Sequence, residues 1–324
     1  MTASSWALVA VVAYAAACIA YVYRWRGRQR YDSFRQYLRK SWPVFAPLNC
    51  LMYMATRRAA RRPVLDAGYL HHIERIRGNW EIIRDEALAL QATGLLEAIA
   101  VPGSAGYHDV GFRTFYKRGW RKFYLSWYGP PHPSAQRLCP HTVALLAQVP
   151  GIRGAMFSLL PAGASLSMHA DPMGCCLRYH LGLATPNSPS CQITVDGQSC
   201  SWRDGEDFVF DETYPHQAHN GTDQPRLILM CDVDRPLAPW GRLLRWVYAR
   251  LARATLVPNT AEDGRGLFSA WFRKLAPLRD RGLRLRETRR HTYQALKLAL
   301  NASLLSALLG LLFGVLRVAE MVVG

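Results

Sequence analysis

A chain of 324 residues, half of them apolar, can bury one large core or two small ones, and a formal charge of +17 points to anionic partners. The charge is unevenly placed: residues 24–62 carry eleven Lys and Arg against Asp32 alone, residues 238–297 fourteen against four acids, and residues 63–234 thirteen against seventeen. No helix-turn-helix, zinc-finger or RNA-binding signature accompanies the basic flanks, which sets nucleic acid aside; eight cysteines without a C-x-x-C pair set zinc aside and read as reduced thiols.

In chain order, the first element is an uncharged run of nineteen residues from Ser5 to Tyr23, the length that crosses a hydrocarbon core. RWRGRQR follows at once, whereas a signal peptide would carry its charges ahead of the apolar run. Residues 5–23 are therefore expected to be a transmembrane helix. The positive-inside rule puts residue 24 onward in the cytoplasm. Residues 24–62 form a basic juxtamembrane segment whose charges are drawn to lipid heads. At its centre WPVFAPLNCLMYM is too short to span and reads as interfacial or core.

A helical stretch is expected from Pro63, with Leu65, Leu70, Ile73, Ile76, Trp80 and Ile83 as an apolar stripe packed on the following domain. Gly103 to Cys139, rich in Gly, Pro, Trp and Tyr, reads as a long ordered loop walling a pocket. From Gly154 to Val233 short apolar runs alternate with turn signals such as Asp196-Gly197 and Asp204-Gly205. That pattern predicts a mainly β domain with flanking helices, a jelly roll or double-stranded β-helix over residues 63–237.

Trp240 to Val257 returns to a helical period, with Leu243, Leu244, Val247 and Leu251 along one side and Arg242, Arg245 and Arg253 supplying charge. It reads either as a helix lying in an anionic membrane surface or as one packed on the barrel. Residues 238–297 as a whole are expected to be basic amphipathic membrane-surface helices, ending in RDRGLRLRETRR. A second uncharged run of nineteen, residues 298–316, is expected to span the membrane or, failing that, to pack or dimerise. Both runs carry their basic neighbours on the side of the central domain, which places that domain on the cytoplasmic face.

The chemistry sits in the β region. His169-x-Asp171 is followed 45 residues later by His216 and ten positions further by Arg226. Two imidazoles and one carboxylate on one face of a metal, with the other face open, form a site for non-haem Fe(II) oxygen chemistry. His169 and Asp171 are two apart and would point the same way from an extended strand; His216 must come from another strand. Three protein ligands leave room for a chelating 2-oxo acid and O₂. Arg226 has the planar fork to hold the acid's far carboxylate.

The wider sequence, FSLLPAGASLSMHADPMGCCLRYHLGLATPN, then FDETYPHQAHN, then RLILMCDVDRP, resembles the aspartyl/asparaginyl β-hydroxylase family of Fe(II)/2-oxoglutarate dioxygenases, near its bacterial lipid A 2-hydroxylase branch. The resemblance runs from about Pro63 to Pro236. It implies the double-stranded β-helix and makes His169, Asp171 and His216 the iron ligands. Arg226 becomes the partner of the 2-oxoglutarate C5 carboxylate, with Ser158 adding a hydroxyl. It also implies that Arg178 and His180 contact the oxo acid or the prime substrate, and that Trp120 lines the pocket. The peptide-hydroxylating members lack the carboxylate of Asp171 and carry Arg where this chain has Cys176, so the lipid branch fits better. The expectation is a membrane-bound dioxygenase of the bacterial inner membrane that uses Fe(II), 2-oxoglutarate and O₂. Its substrate would be a fatty acyl chain, at C2, of a membrane lipid, lipid A first and an ornithine lipid as alternative. A peptidyl Asp/Asn hydroxylase and a non-enzymatic binding barrel are the rivals.

Overall fold

The structure, a computed structural model, describes residues 2–323 apart from 110, 112–115 and 173. Helices α1 (Ala3–Arg24), α2 (Phe34–Lys40) and α3 (Ala46–Ala55) precede a short strand β1 (Val64–Leu65). Next come α4 (Ile73–Arg77), α5 (Trp80–Ala92), α6 (Leu95–Ile99), β2 (Arg121–Trp127), α7 (Pro133–Leu138) and α8 (Pro140–Ala147). Then β3 (Ile152–Leu160), β4 (Ser165–His169), β5 (Cys176–Ala184), β6 (Cys191–Val195) and β7 (Gln198–Ser201) follow one another. β8 (Asp207–Phe210), β9 (His216–Asn220) and β10 (Arg226–Asp234) complete the barrel, and α9 (Pro239–Ala254), α10 (Leu267–Thr288) and α11 (Arg290–Val323) follow.

The strands form a six-stranded sheet in the order β1-β8-β5-β10-β3-β2, facing a four-stranded sheet in the order β4-β9-β6-β7. All of their named pairings are antiparallel. This is the expected jelly-roll arrangement of a mainly β protein with flanking helices. The large sheet is buried on both faces, and its pleat sorts the side chains by parity. Tyr179, Leu181, Leu229 and Cys231 join Ile73, Ile76, Ile83 and Leu90 of the helical layer. Ile228 and Met230 instead face the barrel interior with Ile193, Trp202 and Phe210.

Two expectations are corrected. The helical stretch from Pro63 is broken: Val64–Leu65 pairs with β8, and Gly78 closes α4 before α5 begins. Glycine and a short turn interrupt the helix, yet Ile73, Ile76 and Ile83 still reach one core because the pieces lie against the same sheet. The loop expected over 103–139 contains β2 and α7, and part of it falls outside the described residues. Its Tyr and Trp residues serve a strand paired with β3.

Among the described residues α1 is the helix long and apolar enough to cross a membrane. The run 298–316 lies within α11, where many side chains fall outside the described set. Immediately after α1 the chain locks onto the barrel. Arg26, expected at lipid heads, is buried: its guanidinium bonds the Thr213 carbonyl (2.9 Å) and Asp211 (2.8 Å) and lies between the Tyr53 and Tyr214 rings. Gly27 has φ +76°, and a Cβ there would sit 2.5 Å from Asp196 Oδ1, so only glycine lets the chain turn so close. The next two amides, of Arg28 and Gln29, donate to that same Asp196 oxygen.

Asp211 also takes Arg235, buried at 2.9 Å. Burial would raise the Asp211 carboxyl, but Arg235 and Arg26 hold it well below the usual carboxylate range. Removing one partner of a buried ion cluster strands the others, at roughly 3–5 kcal/mol. Asp211→Ala, which leaves two guanidiniums without an anion, is therefore expected to lower the denaturation midpoint sharply in detergent solution. Arg28→Ala, whose exposed side chain faces no such partner, should leave it unchanged.

Candidate active site

His169, at the end of β4, stands opposite His216, at the start of β9, and their ring centroids are 4.2 Å apart. Asp171 lies just beyond β4, not on it. Its amide donates to the Glu212 carbonyl (2.9 Å), and the turn brings Oδ1 to 3.6 Å from His169 Nε2. One ligand atom from each of the three residues falls within 4.8 Å of the others. The two side chains converge although Asp171 lies past the strand, because backbone pairing beyond the strand end aims it.

Each imidazole is oriented from behind. Nδ1 of His169 lies 3.0 Å from the Ser167 carbonyl, and Nδ1 of His216 lies 3.0 Å from the Tyr214 carbonyl. A carbonyl only accepts, so both Nδ1 atoms carry hydrogen in the neutral ring and both Nε2 lone pairs are available to a cation. Burial, with the His169 ring adding to it, pushes His216 down to about 4, which keeps it neutral at physiological pH. His219 is on the opposite, exposed side of β9.

A second group lies deeper in the barrel. Arg226 is 1% exposed, with its guanidinium 4.3 Å from the Trp202 ring and 5.4 Å from the Trp120 ring. Among the described residues its Nε and one Nη have no hydrogen-bond partner, and Ser158 Oγ and His180 Nε2 are likewise buried without one. Trp202 Nε1 donates to His180 Nδ1 (3.1 Å), so in the neutral ring Nε2 carries the hydrogen. Burial pushes His180 far below its ordinary value, helped by Arg226 and Arg178. The same burial drives Arg226 down to about 9, the mark of a cation held without a counter-ion. Buried donors of this kind are costly unless an acceptor fills the space, and a carboxylate answers all of them.

Arg178 and His180, adjacent on one face of β5, have different surroundings. Arg178 pairs with Glu212, with Asp232 (2.9 Å) and with Asp171 (3.7 Å). Burial pushes the Glu212 and Asp232 carboxyls up, and one guanidinium cannot balance three acids. Cys176, Glu212 and Asp232 also have metal-ligand spacing, but the Arg178 cation already bonds both carboxylates there. Sequence reasoning assigned no role to Glu212, Asp232 or Trp202. Glu212 stood within the quoted Phe-Asp-Glu motif, and Asp232 shares the inward parity of Arg226 on β10; nothing local marked Trp202.

Fold and site together define a jelly-roll barrel in which a His/Asp/His group with the spacing to hold a metal lies beside a buried cluster of hydrogen-bond donors. Residues 77–236 match the aspartyl/asparaginyl beta-hydroxylase family, and the barrel of this chain belongs to it. An ornithine lipid ester-linked acyl 2-hydroxylase of Rhizobium tropici is 37% identical over 134 residues, 41% of this chain and 48% of that protein. The human aspartyl/asparaginyl beta-hydroxylase is 29% identical over 178 residues, 53% of this chain and 22% of the human protein. The match thus spans about half of the lipid hydroxylase and about a fifth of the human enzyme. Among solved structures, a cupin domain from Enterobacter cloacae is 15% identical, covering 25% of this chain and 79% of that one at a TM-score of 0.21.

If the imidazole assignment is right, His216→Ala should lose reconstituted iron, measured as bound metal per chain after desalting, while His219→Ala retains it. The reverse pattern would move the distal ligand to His219.

Proposed function

We propose that this chain is an Fe(II)/2-oxoglutarate-dependent dioxygenase that hydroxylates C2 of a fatty acyl chain on a bacterial membrane lipid. The observation that carries the reading is the Arg226 guanidinium, buried with two unpartnered nitrogens beside unpartnered Ser158 and His180, in the barrel that holds the His/Asp/His group. His169, Asp171 and His216 would hold the iron, which, with the oxo acid and O₂, supplies the oxygen that enters the C–H bond.

The residues divide the remaining work. Arg226 binds the far carboxylate of 2-oxoglutarate through its fork, Ser158 donates its hydroxyl to the same anion, and His180 donates from Nε2. Trp202 sets the tautomer that makes His180 a donor and, with Trp120, covers Arg226 against water. Arg178 acts on Asp171: clamped between Glu212 and Asp232, it presents a fixed cation to the carboxylate and orients it.

Several features support a lipid substrate. One relative is named as an ornithine lipid acyl hydroxylase. Cys176 stands where an arginine is expected in peptide hydroxylases. Two residues past an apolar helix of membrane-spanning length, Arg26 already bonds Asp211 of the barrel. The relative favours an ornithine lipid over lipid A, and phosphate-bearing lipid A remains the alternative that the basic flanks suit. The same helix and flanks support an inner-membrane location with the barrel on the cytoplasmic side.

Two measurements test the reading. Host lipids compared by mass spectrometry with and without this chain should differ by one oxygen atom on one lipid class; no change in any class refutes acyl hydroxylation. Separately, saturating 2-oxoglutarate should raise the melting temperature of the iron-loaded protein, by the equivalent of about 2.7 kcal/mol at a hundred times Kd. Arg226→Met should abolish that shift without destabilising the ligand-free protein, because it removes an uncompensated buried charge. Arg226→Lys, which cannot reproduce the two-point contact, should raise the oxo acid concentration needed for turnover.

A further inference from the structure

A cavity of about 270 Å³ opens where α9 crosses the ends of β3, β5 and β10. Its wall brings together Arg153, Arg242 and Arg245 with one acid, Asp234. Arg153 grips Asp234 at 2.8 and 2.6 Å, and Arg245 reaches the same carboxylate at 2.9 Å. Arg242 is exposed and makes no ion pair among the described residues. Three guanidiniums around a single carboxylate leave excess positive charge facing the cavity, and Trp246 adds an aromatic wall.

The floor connects this space to the active site. Tyr128 and Cys176 line it, and the Tyr128 hydroxyl bonds Cys176 Sγ (3.3 Å) and Asp232 (3.0 Å), the acid that clamps Arg178. Tyr128 does so from φ +47°, a left-handed backbone that a bulky residue adopts only where its surroundings impose it. Cys176 and Arg178 are successive residues on one face of β5, a step of roughly 7 Å, and Arg178 lies 3.7 Å from Asp171. The cavity therefore stands one side-chain layer from the metal group.

Its outer wall is amphipathic. Gly241, Tyr248 and Ala252 seat α9 on the protein, and Tyr248 packs with Met52 and Ala55 of α3. Trp240, Leu243, Trp246, Val247 and Leu251 are 44–67% exposed on its other sides. Apolar surface of this extent beside a cationic cavity suits a ligand with an anionic head and a hydrocarbon tail. At about 270 Å³ the cavity is slightly smaller than a site for a whole drug-sized ligand, which fits a head group and not a complete lipid.

We infer that this cavity is the head-group site: it takes the phosphate or carboxylate of a membrane lipid while an acyl chain other than the one hydroxylated lies along the apolar side of α9. The inference rests on the acyl-hydroxylase reading and deepens it. Hydroxylation at C2 acts one bond from the acyl carbonyl, so the head group must be held close to the metal, and one side-chain layer meets that need.

The test is binding, not turnover. The full chain in neutral detergent is titrated calorimetrically with dihexanoyl phosphatidic acid, dihexanoyl phosphatidylcholine and inorganic phosphate. The anionic lipid should bind more tightly than either of the others. Arg242→Glu and, independently, the cavity-filling Ala249→Phe should each weaken it about tenfold, the scale of one charge-assisted contact. Unchanged affinity in both variants overturns the proposal, as does inorganic phosphate binding as tightly as the lipid, which would make the cavity a free-anion site. The 2-oxoglutarate-induced rise in melting temperature is recorded on the same samples. Its retention with lipid binding lost in the wild type refutes the head-group site alone, whereas its absence from the wild type counts against the dioxygenase reading.

Discussion

The carboxylate of Asp211 is the junction on which the rest depends. Two buried guanidiniums, one from the segment leaving α1 and one from the end of β10, meet on it. Without that anion each arginine would be left as an unpaired buried charge, at a cost of several kcal/mol. Asp211 also begins the short loop that supplies Glu212 to Arg178, Tyr214 to the Arg26 stack and His216 to the metal group. The interaction that fastens the apolar helix to the barrel is thereby continuous with the loop that positions His216.

The loop on the other side of the metal group is braced from outside the barrel as well. The Ala170 amide donates to the Lys40 carbonyl, Asn49 bonds the Pro172 carbonyl and the Gly174 amide, and Tyr248 of α9 donates to the same Pro172 oxygen. Asp171 sits inside this brace. Residues 24–62 and α9, whose sequences read as membrane-surface or packed segments alike, thus help shape the candidate site. The segments that follow the apolar helix and the barrel hold the Asp171 loop from outside.

Charge balance separates the two ends of the barrel interior. Around Arg178 there are more carboxylates than one guanidinium can neutralise, which suits a place beside a bound cation. Around Arg226, among the described residues, no carboxylate forms an ion pair and neighbouring donors are unpartnered, which suits a bound anion. Two arginines on neighbouring strands of one sheet are thereby given opposite duties by their surroundings. The identity of the side chain does not distinguish them.

The features legible from the sequence alone were local ones. A nineteen-residue uncharged run, alternating strands between turn signals, the His-x-Asp pair and the step from His216 to Arg226 all follow from spacing along the chain, because strand and helix periods are properties of the backbone itself. On β9 the odd spacing of His216 and His219 puts them on opposite faces, His216 buried and His219 exposed. What only the tertiary structure decided were the partners of each charge. Arg26 turns inward because Asp211, 185 residues away, takes its charge and the rings of Tyr53 and Tyr214 receive its guanidinium. Arg178 and His180 part company because Glu212 and Asp232 flank the first while Trp202 and Arg226 adjoin the second. Electrostatic roles are set by what lies within a few ångströms, and sheet register, which spacing along the chain does not encode, determines what that is.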